Sequence, residues 1–300
     1  MQKKNKSLLL VHIAVALFGS SSLFGKLINQ PAFVIVAGRV FFSVIIMFFI
    51  FRLKKISISL GSRDSYLKVL LLGAILTVHW VLFYHSVQIS TVAISLLTFS
   101  TCPIFATFIE PMFFKEEKLK KENILTALVA FAGVAIVVPK FDMGSTMLQG
   151  FIEGILAGLT FALISVLERK FVKELNGVII SFYEQSIVFI ALLPICIFTG
   201  LNPVSLSDIL YILLFSTVFT LFSRYCYING LKGVSAQTAS VLTSVEPIYG
   251  IILAALLLDE TPSVKEVVGG IVIISAVVYS SLRVMKQNGV KNPIKTGESL

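Results

Sequence analysis

The sequence predicts an all-α membrane protein with ten transmembrane helices in two inverted five-helix repeats. Three observations carry that prediction. Of 300 residues, 56% are hydrophobic and 14% charged, with a mean hydropathy of +0.93, whereas a soluble domain has about 25% charged residues. A soluble core cannot hide that much apolar surface, so lipid is the expected solvent. The apolar residues fall into ten stretches near the ~20 residues that cross a bilayer: 7–28, 33–51, 66–88, 91–113, 123–139, 148–168, 178–200, 207–228, 235–257 and 264–284. The fourth and ninth stretches share one pattern in opposite directions.

The first stretch begins as a signal peptide would. MQKKNKS precedes LLLVHIAVA, with small residues at Ala14 and Ala16. The apolar run continues to Ile28, long enough to span a bilayer, so a retained first helix is the better reading. The links between stretches are short and leave no room for a soluble domain. With the N-terminus placed in the cytoplasm, twenty of the 25 Lys and Arg fall in inner segments, and only Lys140 and Lys265 lie outside. Lys26, Arg39 and Arg224 fall within spans. This bias predicts that both termini are cytoplasmic, in a multi-pass protein of the bacterial cytoplasmic (inner) membrane. The net charge of +9 is thus a topological signal, and no nucleic-acid partner is implied. Cys102, Cys196 and Cys226 lie in apolar stretches, without metal-ligand spacing or a disulfide framework, and read as packing residues.

The repeat is between ISLLTFSTCPIFATFIEPMFFKEE (94–117) and TASVLTSVEPIYGIILAALLLDE (238–260). Pro103 and Pro247 align at an offset of 144 residues, as do Ser100 with Ser244, Cys102 with Glu246 and Glu116 with Glu260. Five spans separate the copies, so they cross in opposite directions. Inverted repeats of this kind mark many secondary transporters, with substrate bound near the midplane.

The ending SVEPIYGIILAALLLDE resembles the penultimate helix of EamA-type carriers of the drug/metabolite transporter superfamily. LFGSSSLFGKLI in span one, ending in Lys26, is similar to that family's opening helix, and the single Arg39 of span two also fits. Phe18 departs from the family by replacing a frequent Trp. The resemblance covers about residues 7 to 285 and implies a central cavity and traffic of small metabolites. On this reading, residues 1–139 and 148–285 are the two repeats and 286–300 a cytoplasmic tail. The cavity is expected to be lined by every span except five and ten, which carry no charge beyond their ends.

Glu246 is the leading site residue. It is about eleven residues into span nine, roughly 17 Å from the inner surface, where a short carboxyl side chain cannot reach water. Pro247 cannot donate a hydrogen bond, and its ring crowds the carbonyl of Thr243, four residues back in the helix. One turn is thus expected to present Glu246, that carbonyl, the Thr243 hydroxyl and Tyr249. The alternative is a helix kink beside a neutral, hydrogen-bonded Glu. Arg39 lies about 9 Å below the outer surface and either snorkels or lines a vestibule. Glu184 is about as deep from the inner side, flanked by Tyr183 and Gln185. In span three, His79 and Trp80 are cavity candidates, whereas Tyr84, His85 and Gln88 fit an interfacial belt. Lys26, Arg224, Glu110, Glu153 and Glu168 are near span ends and read as structural. Gly150, Gly154 and Gly158 form a small-residue ridge for helix packing.

The sequence has no Walker A motif, dinucleotide fingerprint or HExxH. The expectation is therefore a gradient- or exchange-driven carrier without catalytic residues, metal site or cofactor. It would move a small metabolite by alternating access, with export of an amino acid or related compound first and uptake of a vitamin or nucleoside-like compound second. A proton or cation is the expected coupling partner. A membrane-embedded enzyme or a channel is the rival from another class.

Overall fold

The computed structural model describes residues 2–114, 121–139, 144–172, 174–200, 202–231, 242–243 and 245–291. Glu116, Lys118, Lys140, Ser244, most of 235–245 and the end of the tail lie outside the described residues. The described chain is helical: α1 (Gln2–Ser21), α2 (Phe24–Leu27), α3 (Ala32–Leu53), α4 (Arg63–Ile89), α5 (Val92–Phe99), α6 (Cys102–Phe113) and α7 (Lys121–Val137) form the first half. The second half holds α8 (Thr146–Phe171), α9 (Gly177–Thr199), α10 (Leu206–Leu214), a π-helical segment Phe215–Phe222, α11 (Ser223–Leu231), α12 (Glu246–Leu257) and α13 (Val264–Lys291). Among the described residues, seven helices are long and apolar enough to cross a membrane, and Ile124–Val137 and Glu246–Leu257 are shorter apolar helices.

Helix starts follow their side chains. The Ser62 hydroxyl accepts from Ser65 N, and the Thr91 hydroxyl accepts from Ile94 N. Ser205 and Asp208 cap α10 reciprocally. Each satisfies N–H groups that a helix start leaves unpaired.

Small residues set the closest packing, because lipid supplies no hydrophobic drive between helices. Ser86 Oγ donates to the Gly150 carbonyl at 2.6 Å, and Gly154 and Gly158 seat α8 against Thr98 and Thr101. The glycine ridge therefore packs inside the fold, where it meets spans three and four. Gly133 of α7 meets Gly269 of α13 backbone to backbone, so the last spans of the two halves pair with each other.

The inverted repeat is visible in the backbone. Helix α6 runs from Cys102 to Phe113 and α12 from Glu246 to Leu257, so both ends are offset by the same 144 residues. Before α6, Thr101 N donates to Thr98 O at 3.2 Å and Ile104 N to Thr101 O at 2.9 Å. Before α12, the equivalent bonds run from Val245 N to Leu242 O at 3.1 Å and from Ile248 N to Val245 O at 3.0 Å. Both helices also close alike, Phe114 N to Glu110 O and Leu258 N to Ala254 O, each at 2.9 Å. Spans four and nine are thus each broken near the middle, with Pro103 and Pro247 in the first turn of a half-helix. A proline there lacks an N–H that had no helical acceptor anyway. This corrects the expectation of a continuous helix around Pro247: the proline begins a helix instead of bending one.

Candidate functional site

The two breaks line one cavity of about 140 Å³. Thr243, Glu246 and Pro247 line it from span nine, and Ser100, Cys102 and Pro103 from span four. Phe161 closes one side and Ile274 and Val277 of α13 another. Span ten therefore contributes apolar wall, which corrects its expected exclusion from the cavity. A helix packed close to the breaks presents whichever side chains face inward, and apolar ones serve as wall.

Glu246 occupies the first turn of α12, where unpaired N–H groups place partial positive charge beside its carboxylate. Its backbone is held by span one. A Cβ on Gly19 would collide with the Glu246 carbonyl, and one on Gly250 would stand 2.7 Å from the Gly19 carbonyl oxygen. Bare backbone at both positions lets α1 and α12 touch. Tyr249 is not part of this turn's polar face. It packs with Val11 and Val15 of α1.

Arg39 stands apart from this cavity in a nest of aromatic rings. Its guanidinium carbon is 4.4 Å from the centroid of Trp80 and 4.4 Å from that of Phe215. Nε donates to Thr220 Oγ1 at 2.8 Å and Nη1 to the Tyr84 hydroxyl at 3.3 Å. Arg39 is only 8% exposed, and its side chain does not snorkel. The ring faces offset part of the cost of burying the cation. Thr220 reaches it because the π-helical segment widens this turn: its hydroxyl also donates to Phe215 O, five residues back, at 3.0 Å. Such wide turns occur often at functional positions. The neighbouring Ser216 hydroxyl donates to the Arg39 carbonyl at 2.8 Å, tying span eight to span two.

Tyr84, Thr220 and Phe215 are thus neighbours of the candidate residue Arg39 that the sequence reading did not select. Tyr84, expected at the membrane interface, is 1% exposed. Its i,i+4 spacing from Trp80 was the available signal. Tyr84 also lies 3.4 Å from Ser21 Oγ.

His79 points elsewhere. Its Nδ1 pairs with the Ala157 carbonyl at 2.9 Å, and its ring lies 5.0 Å from Phe161. It supports the cavity wall from behind. Glu184 is buried in α9, and Gln185 beside it donates to Ser181 O at 3.2 Å.

The charges assigned to span ends find partners. Lys26 pairs with Glu260 at 3.3 Å and donates to Ser90 O at 2.7 Å, while Glu260 accepts from Val92 N at 2.9 Å. His85 pairs with Glu153 and Arg169 with Glu110, each at 2.7 Å. Among the described residues, no group of three or more His, Cys, Asp and Glu could hold a metal ion.

Seven long apolar helices and two shorter ones among the described residues, with a repeated helix break at a shared cavity, define a multi-pass membrane protein. The EamA-like transporter family model matches residues 5–138 and 148–282, and the chain belongs to that family. Relatives carry the same general name. An uncharacterized transporter of Clostridium kluyveri is 28% identical over 197 residues, covering 62% of this chain and 63% of that protein. The uncharacterized transporter YetK of Bacillus subtilis is 24% identical, covering 82% of this chain and 78% of its own. An uncharacterized transporter of Archaeoglobus fulgidus is 22% identical, covering 89% and 93%. A solved crystal structure shares the fold with a TM-score of 0.65 at 14% identity, covering 94% of this chain and 99% of that one.

Proposed function

We propose that the protein is a secondary transporter that moves a small zwitterionic metabolite, an amino acid or close relative, by alternating access, with export the favoured direction. The supporting observation is a separated pair of opposite charges. Glu246 lines the cavity, Arg39 is buried beside Tyr84, and among the described residues neither has an ion-pair partner. Two such charges are costly unless a ligand completes them. A substrate ammonium suits Glu246, and a substrate carboxylate suits the planar fork of Arg39. Thr243, Pro247 and the apolar wall shape the cavity beside Glu246, while Trp80 holds the guanidinium plane. Burial favours the neutral form of any carboxyl and a bound cation the charged form, so the same acid is suited to exchange a proton for the substrate amine.

The reading places both termini on the cytoplasmic side of a bacterial inner membrane. Ser263→Cys is then expected to react with an impermeant thiol reagent in intact cells, and Lys118→Cys to react only after lysis. The reverse pattern removes the assigned orientation. Radiolabelled amino acids presented to proteoliposomes under an imposed pH gradient test the substrate class. Movement of at least one of them above protein-free vesicles supports it, and movement of none contradicts it.

A further inference from the structure

Each half-helix that leaves the cavity ends at an ion pair with the opposite half of the chain. Helix α12 runs from Glu246, on the cavity, to Leu257, and Glu260 follows it. Glu260 Oε1 is 3.3 Å from Nζ of Lys26, at the end of span one. Helix α6 runs from Cys102, also on the cavity, to Phe113. Its Glu110 Oε1 is 2.7 Å from Nη1 of Arg169, at the end of α8. Helix α1 packs against α12, and α8 packs against α6. Each pair thus joins the first span of one half to the half-helix of the other.

The pairs mark opposite ends of span four. Glu260 Oε2 accepts from Val92 N at 2.9 Å, at the start of α5, whereas Glu110 is in the last turn of α6. At 1.5 Å per residue, positions 92 and 110 are roughly 25 Å apart along the span. The cavity lies between them, at Ser100, Cys102 and Pro103. A route from the cavity along α12 therefore ends at one pair, and a route along α6 ends at the other. Lys26 also donates to Ser90 O at 2.7 Å and to Gln88 O at 3.3 Å, so one ammonium gathers the ends of spans one, three, four and nine. At the other end, the Arg169 guanidinium carbon is 4.5 Å from the ring centroid of Phe114, and Lys170 Nζ is 5.7 Å from that of Phe113.

Neither pair is deeply buried. Side-chain exposure is 25% and 21% for Lys26 and Glu260, and 45% and 32% for Arg169 and Glu110. Ion pairs this open to water add little to stability, and both partners are rehydrated when they part. That suits a contact that must break and re-form. The helix breaks supply the pivots. Each half-helix starts afresh after a turn of i→i−3 bonds, and the ends of elements are where hinges absorb a tilt.

We propose that the two ion pairs are reciprocal latches. Lys26–Glu260 closes the cavity toward one face and Arg169–Glu110 closes it toward the other, so that one parts while the other holds. The role in transport rests on the carrier reading above, and the proposed orientation places Lys26–Glu260 outside.

The test reads access to Cys102, which lines the cavity and reacts as a thiolate, a form that water favours. The full chain, with Cys196 and Cys226 replaced by Ser, meets an impermeant methanethiosulfonate ammonium reagent in right-side-out and in inside-out membrane vesicles. Glu260→Gln loses the charge but can still accept from Val92 N. It is expected to raise the Cys102 rate about threefold from outside and to lower it from inside, because a lost latch shifts a two-state balance by the factor it contributed. Arg169→Gln is expected to do the reverse, by a smaller factor, since its pair is the more exposed. His85→Gln breaks a contact between α4 and α8 that involves neither half-helix, and it is expected to change neither rate. Should a first variant fail to fold, Lys26→Met or Glu110→Gln gives the same readout from the other partner. Rates unchanged from wild type, or raised equally from both sides, overturn the proposal. Reciprocal changes with the sides exchanged support the latches and contradict the orientation. Reciprocal changes in a protein that moves no amino acid support the latches and count against the substrate class.

Discussion

Spans four and nine have the same broken backbone but different side chains at the break. Residues 98, 101 and 104 make the turn that 242, 245 and 248 make, and the half-helices that follow match at both ends. At the first position of those half-helices, one copy carries Cys102 and the other Glu246. The proline is common to both copies, and the carboxyl belongs to one. Pro103 and Pro247 therefore report a demand of the fold, and under the proposed function Glu246 reports a demand of the site. Their adjacency in span nine is where the two demands meet.

The largest expected effect comes from closing the space on which both breaks rest. Gly19 of α1 lies against the span-nine break, and Gly158 of α8 lies against the span-four break, where a Cβ would stand 2.9 Å from Thr101 Oγ1. Gly19→Leu and Gly158→Leu are each expected to prevent stable folding. Gly19→Ala and Gly158→Ala are expected to cost about 1–3 kcal/mol each, as overpacking does. Thermal unfolding in detergent measures this, and a large cost at only one glycine breaks the symmetry between the halves.

Next in size is Arg39→Lys. The ammonium keeps the charge but loses the planar fork between Trp80 and Phe215. Flux is expected to fall by about tenfold, equivalent to roughly 1.4 kcal/mol, with the protein folded. Flux at the wild-type rate would assign Arg39 to packing alone.

The smallest effects are expected at the prolines. Pro103→Ala and Pro247→Ala remove rigid residues from helix starts, where each should cost about 1 kcal/mol or less. Similar small losses in both, with flux retained, fit a shared fold device. A selective loss of flux in Pro247→Ala would make that proline part of the site.

The spans and the repeat were legible because hydropathy and aligned prolines are local signals. The half-helix starting at Glu246 was not, because a proline in a continuous apolar run fits a kink as well as a new start. The two differ in i→i−3 bonds that only coordinates display. The Arg39 nest was half legible. Trp80 stood out by type, but Thr220 and Phe215 come from a span 176 to 181 residues away in sequence, through a π-helical turn with no Gly or Pro to announce it. Glu168 was assigned to a span end by depth, and its 3.8 Å approach to Arg224 depends on how α8 and α11 are set beside each other. Depth along a single helix does not encode that.

The central claim is that the Glu246 carboxyl, and not the helix break beside it, carries transport. Substrate flux in proteoliposomes across a range of imposed pH gradients, comparing wild type with Glu246→Gln and Cys102→Ser, tests it most directly. The account predicts that Glu246→Gln inserts and folds but moves little substrate and ignores the pH gradient, while Cys102→Ser, at the matching position of span four, stays close to wild type. Glu246→Gln moving substrate at the wild-type rate with the wild-type pH profile would contradict it.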